Sequence, residues 1–177
     1  MHGRNENVEQ KNQTNTKMTF EQYIEQLAEQ HKEVRHNLDD QCHFSCLQDD
    51  ATSKLARNVR YPFIFIDGGD FDFAGQPGNI LRRDSYTLMF LDHVRDSGNT
   101  AEVQQAFRKT KKIMLDFLKR ISRDKRTIKY KFLNRFEIIG TEGTRVSSQE
   151  NNLYGWVIQL INTVSFNDVD CDNAFDE

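Results

Sequence analysis

Four side chains able to bind a metal stand close together: His36, Cys42, His43 and Cys46 span eleven residues. Imidazole and thiolate are the ligands that zinc takes in tetrahedral sites. The spacing argues against that use. In residues 41–47 (QCHFSCL), Cys42, Phe44 and Cys46 alternate with His43 and Ser45, the pattern of a short strand. Residues four apart on a strand share a face but lie roughly 13 Å apart, at about 3.3 Å per residue. Two thiolates on one zinc each sit ~2.3 Å from it, so these two cannot share an ion. Buried, unreactive cysteines are the expectation, and no metal. Asp67, Asp70 and Asp72 in a Gly-rich stretch could offer oxygen ligands to calcium, but the EF-hand order with its closing Glu is missing. Gly68-Gly69 is not followed by the Lys-Ser/Thr of a phosphate loop. No G-x-S-x-G and no convincing Cys–His pairing marks a nucleophile. Cys171 lies among acids, which raise a thiol pKa. The residues therefore point to no catalytic site, no enzyme and no cofactor.

Charge placement is the one strong chemical asymmetry. From Arg108 to Arg135 there are twelve bases: Arg108, Lys109, Lys111, Lys112, Lys119, Arg120, Arg123, Lys125, Arg126, Lys129, Lys131 and Arg135. Only Asp116 and Asp124 oppose them, a net +10 in 28 residues. The final segment 167–177 carries Asp168, Asp170, Asp172, Asp176 and Glu177 and no base. The whole chain, at −3, hides this split. Three uses stay open. The basic face can be merely solvated. It can face a polyanion, with Lys109, Lys112, Lys119, Arg123, Arg126, Lys129 and Lys131 as the contacting set. Or the acidic tail of a neighbouring subunit can lie on it, which makes the split a device for assembly.

The elements that must position these residues follow from the apolar pattern. The 177 residues suffice for one domain with a core. Three cysteines make a disulfide scaffold improbable on arithmetic and favour a reducing compartment. No apolar run reaches the ~20 residues of a membrane span, and no secretory signal is expected from the polar start. Residues 1–17 hold only two apolar side chains and read as a disordered arm. Thr19 with Gln22 forms a capping-box pattern, and Phe20, Ile24, Leu27, His31, Val34 and Leu38 predict a helix ending near Asn37. A helical turn is expected at 49–58. Residues 61–66 (YPFIFI) predict a buried strand. Residues 67–83 contain four of the nine glycines and predict a long mobile loop or broad hairpin tip. Residues 84–93 return as a strand, with Tyr86, Leu88 and Phe90 on one face. The clearest helix spans about Thr100–Ser122, capped by Thr100. Alternation predicts a strand over 127–139, a turn-rich loop over 140–152 and a last strand over 153–166. The expected fold is α+β, an antiparallel sheet packed against two helices, as one domain over 18–166 followed by the acidic tail.

This order of elements resembles the tail-completion (tail-terminator) proteins of tailed bacteriophages, including those of phages of gut Bacteroidetes. The resemblance lies in the opening helix TFEQYIEQLAEQHKEV, the strand RYPFIFI, the Gly-rich stretch, RRDSYTLMFLDHV, the long helix and the closing NLYGWVIQLINTVSF. It is a resemblance of pattern over about residues 19–170 and not of a catalytic motif. It implies a non-enzymatic virion protein made in the host cytoplasm that forms a ring, hexameric or dodecameric. Such a ring caps the tail tube or sits in the head–tail neck, beside portal or tail-tube proteins, with DNA passing through it. It further implies that 67–83 is a hairpin extension making subunit contacts, with Asp67, Asp70, Phe71, Asp72, Phe73, Arg82 and Arg83 as the contact set. The rival reading is a nucleic-acid-binding module. It would use the basic segment Arg108–Arg135, with Tyr130 and Phe132 interleaved among Lys129 and Lys131 as a stacking platform.

Overall fold

A computed structural model describes residues 18–37, 43–45 and 60–166. The expected arm at 1–17, the helical turn at 49–58, Cys42, Cys46 and the acidic tail lie outside the described residues.

Helix α1 (Phe20–Gln30) starts as the sequence predicts. The Thr19 hydroxyl accepts from the Gln22 N–H at 3.3 Å, and the Gln22 side-chain oxygen accepts from the Thr19 N–H at 3.0 Å. Two of the unpaired donors of the first turn are thus satisfied reciprocally. The helix ends at Gln30 and not near Asn37, because His31 takes an extended conformation. Val34 is still fully buried, carried inward by the turn that follows.

The sheet is built from β1 (His43–Ser45), β2 (Phe63–Gln76), β3 (Asn79–His93), β4 (Phe136–Glu137), β5 (Gly143–Ser148) and β6 (Leu153–Ser165). Its order is β1-β2-β3-β6-β4, with β5 also pairing β6. All pairs are antiparallel except β1 with β2, which is parallel at one edge. Of the two forms expected for 67–83, a mobile loop or a hairpin tip, the structure has the hairpin, and it is ordered sheet nearly to its end. β2 and β3 stay paired from Phe63–Leu91 out to Gln76–Asn79, broken only by a bulge between Gly68 and Asp70. The Gly-rich composition misleads because the turn itself needs only Pro77-Gly78, where Gly78 takes φ +86°. The intervening Phe71, Phe73 and Ile80 are good strand formers.

Helix α2 (Thr100–Arg126) runs a turn longer than predicted and is capped by Asn99, whose side-chain oxygen accepts from the Ala101 and Glu102 N–H groups. Its last turn fills 123–126 and stops where the strand 127–139 is expected to begin. The chain then turns through Ile128 at φ +52° and a 3₁₀ helix (Lys131–Arg135) and pairs only at Phe136 and Glu137. Alternation alone mistook a 3₁₀ segment, whose three-residue period also buries Leu133 and Phe136, for a strand. Conversely, the predicted loop 140–152 contains β5, which forms a hairpin with β6.

Both helices cover one face of the sheet. Phe20, Tyr23, Ile24 and Leu27 of α1 and Ile113, Met114, Phe117 and Ile121 of α2 pack on Ile64, Ile66, Leu88, Phe90, Ile158 and Leu160. The other face carries a smaller cluster of Phe63, Phe65, Leu91 and Leu153. The strand alternation read from 84–93 is therefore correct, with Leu88 and Phe90 toward the helices and Leu91 away. The result is an α+β fold with an antiparallel sheet packed against two helices.

Candidate functional site

Beyond α1, the sheet continues as an arm that no described helix covers. It consists of the outer halves of β2 and β3 with the end of β6, where Leu81 pairs Ser165. Period-two alternation puts Phe71 opposite Asp84, and Phe73 opposite Arg82, on the face that carries the core farther in. There, Phe71 is 60%, Phe73 53%, Ile80 42% and Phe166 41% exposed. The rings touch edge to face, with Phe71 and Phe73 centroids 5.7 Å apart and Phe73 and Phe166 5.2 Å apart. Phe71, Phe73 and Phe166 thus form one aromatic patch, with Ile80 exposed on the same face opposite Gly75, beside the ion pair Arg82 Nε–Asp84 Oδ1 at 2.8 Å.

The opposite face of the arm is polar. Arg83 donates to Asp72 through Nε at 2.7 Å and through its terminal nitrogen at 2.5 Å. This two-pronged hydrogen bond holds the Asp72 carboxyl below the usual carboxylate range. Asp67 pairs Thr87 across the ladder, and Asp70 pairs Ser85 beside the bulge. The seven predicted contact residues thus share the arm, but divide between its faces. Phe166 completes the patch and Ile80 shares its face, and only the pairing register reveals them there.

The basic set is placed on α2 and the turn after it, and several of its charges are answered locally. Lys109 Nζ lies 2.8 Å from Asp92, Lys112 binds Glu33, and Lys119 lies 3.8 Å from Asp116. Lys111 sits over the Trp156 ring at 5.0 Å, and Lys129 over the Tyr130 ring at 5.1 Å. Lys125 donates to the Phe136 carbonyl at 2.6 Å. Arg126 and Lys131 form no ion pair among the described residues. The aromatics interleaved with the lysines are not presented as a platform. Tyr130 and Phe132 pack edge-on against buried Tyr23, and the Tyr130 hydroxyl donates to Gln26 at 3.1 Å.

A buried polar network locks the two helices together. The Tyr23 hydroxyl donates to Asp124 Oδ2 at 3.1 Å, and Arg120 Nε donates to the same oxygen at 2.8 Å. Burial opposes the charge on Asp124, but the Arg120 and Tyr23 hydrogen bonds prevail and hold its carboxyl below the ordinary value. Burial, then the adjacent carboxylate, pushes the Tyr23 hydroxyl well above the ordinary phenol range. Burial likewise raises Tyr86 to about 12, helped by Glu21 and Asp84.

Outside this lock, α1 and α2 leave a groove of about 440 Å³ between them. Leu27 and Phe117 form its apolar floor, and Lys119, Arg120, Arg123 and Arg126 line it against the single carboxylate Asp116. Arg120 and Arg123 reach Asp124 at 2.8 and 3.7 Å, so their charge is shared with the lock. The other large concavity, about 600 Å³, lies over β6 and is lined by Thr87, Glu137, Thr141, Glu142 and Gln159 among others. Among the described residues no three His, Cys, Asp or Glu side chains gather as metal ligands, and no helix is long and apolar enough to cross a membrane. The acidic tail residues Asp168, Asp170, Asp172, Asp176 and Glu177 lie outside the described residues. No protein-family model and no curated protein sequence matches the chain.

Proposed function

We propose that the protein is a non-enzymatic assembly subunit that associates with copies of itself, in the ring-forming manner of the tail-completion proteins it resembles, at the tail end or neck of a phage virion. The observation that carries this reading is the aromatic face of the arm. Isolated apolar side chains on a surface are ordinary, but a contiguous patch of Phe71, Phe73 and Phe166, with Ile80 on the same face, is what an interface presents. The arm also leaves the outer edge of β2 unpaired beyond Ile66 among the described residues, where β1 ends. An open strand edge next to an apolar face suits a second copy better than a small molecule. The charged Asp67, Asp70 and Asp72 along that strand restrict which partner fits.

The nucleic-acid reading has less support, because Tyr130 and Phe132 are partly buried edge-on against Tyr23. Light scattering coupled to sizing chromatography tests the assembly reading. The full chain is expected to form an oligomer, and Phe71→Ser with Phe73→Ser to shift it to monomer without loss of thermal stability. A chain that stays monomeric at high concentration and with neck or tail proteins overturns the reading.

A further inference from the structure

We propose that the groove between α1 and α2 is the receptor for the acidic C-terminal segment, residues 167–177, of a second copy of this chain. The groove is lined by four cations around an apolar floor of Leu27 and Phe117: Asp116 lies 3.8 Å from Lys119, Asp124 shares the charge of Arg120 and Arg123, and Arg126 adds a further cation. The segment offers five acids, no base, and the apolar side chains Val169, Ala174 and Phe175. Acid beside aromatic is the composition this lining recognises. Phe175, flanked by Asp176 and Glu177, supplies a ring for the floor and carboxylates for Lys119, Arg123 and Arg126. An arginine fork takes a carboxylate through two parallel hydrogen bonds. Arg126 carries no ion pair among the described residues, and Lys119 is only 3.8 Å from its nearest acid.

Geometry favours a neighbour over the chain's own tail. Phe166, the last described residue, touches Phe73 on the arm. Phe20, at the start of α1, lies against Tyr86, five residues inward from the Leu81–Ser165 pair. That is about 17 Å along the strand. From Phe20, α1 runs the other way: His31 lies on Phe117, and Phe117 on Phe90. The groove begins at Leu27, on the order of 10 Å further along the helix. An extended chain covers at most ~3.5 Å per residue, so Asp168, Asp170 and Asp172 fall short of their own groove. Phe175, Asp176 and Glu177, nine or more residues past Phe166 and so ~31 Å or more in reach, can enter either groove, and it is the use of Asp170 and Asp172 as well that calls for a neighbour's. Within a ring the contact is heterologous, the tail of one copy in the groove of the next.

This inference rests on the self-association proposed above, and the test separates the two. Equal amounts of unlabelled and nitrogen-15-labelled full-length chain are mixed under conditions that exchange subunits. A zero-length carbodiimide then joins amines to touching carboxylates, and the products are sized and mapped by mass spectrometry. The expected result is Lys119 joined to Asp170, Asp172, Asp176 or Glu177, with mixed-isotope products as abundant as same-isotope ones. Lys109–Asp92 and Lys112–Glu33 products serve as internal controls and should be same-isotope only. Arg123→Ala with Arg126→Ala, both on exposed side chains, should lower the Lys119–tail yield several-fold and leave the Lys109–Asp92 yield unchanged. An oligomer that gives the control products but no Lys119–tail product overturns the groove assignment alone. So does a Lys119–tail product found only in same-isotope form. A monomer overturns both proposals.

Discussion

At the scale of single residues, the Tyr23–Asp124–Arg120 network has the sharpest physical consequence. Asp124 is 3% exposed, yet carries a charge that two hydrogen bonds hold in place. Its folded pKa lies below the unfolded value of about 3.9. A depressed carboxylate stabilises the fold fully above the unfolded pKa, and this contribution is lost as pH falls through the folded pKa. Asp124→Asn should therefore cost about 1–3 kcal/mol at pH 7. The cost should shrink steadily as the pH is taken below about 4, where the unfolded carboxyl takes up its proton first, and vanish once the folded carboxyl is protonated too. Urea denaturation of both chains at neutral and acid pH measures it. A difference that does not narrow in acid would mean that Asp124 acts through packing alone.

At the scale of elements, the tightest constraint is the contact between β3 and β6. A Cβ built on Gly155 would lie 1.8 Å from the Phe90 carbonyl oxygen, inside the ladder itself. A Cβ on Gly143 would press only on the flexible end of Met114, at 3.2 Å, and make an ordinary contact with the Trp156 ring at 3.6 Å. Gly155→Ala should thus cost about 3 kcal/mol or more and splay the strands, while Gly143→Ala costs below about 1 kcal/mol. Chemical denaturation distinguishes them, and equal effects would contradict the pairing. Elements with long, single-period patterns are legible in the sequence: the capping box of Thr19 and Gln22, the stripe of α2 and the alternation of β3 and β6. Misreadings arise where composition and structure diverge. Glycines at 67–83 suggest a loop, yet paired strands absorb them. The run from Thr127 to Ile139 alternates, yet a turn through Ile128 and a 3₁₀ helix replace most of the strand, and Ile128 and Ile139 face solvent. Of the candidate surfaces, the arm residues are visible in DFDFA, but their division between two faces depends on the cross-strand register. The groove is invisible in the sequence, because it joins Leu27 to the stretch from Asp116 to Arg126, far along the chain.

At the scale of the whole molecule, two contacts of opposite physical character are proposed. The arm would associate through aromatic surface, and the groove through charge. Apolar association does not depend on ionic attraction and strengthens in salts that are excluded from protein surfaces. Exposed charge pairs weaken as the screening length falls from about 10 Å at 0.1 M to about 3 Å at 1 M. Raising sodium chloride across that range should leave the oligomer intact by light scattering while the Lys119–tail product falls several-fold. The Lys109–Asp92 product should fall less, because Asp92 is buried and its partner is held beside it. Phe71→Ser with Phe73→Ser should invert the pattern: any association that remains depends on the tail and vanishes in 1 M salt. Loss of the wild-type oligomer at high salt would show that charge, not the aromatic arm, holds the copies together. The sequence's split between a basic helix and an acidic end would then be the main adhesive of the assembly.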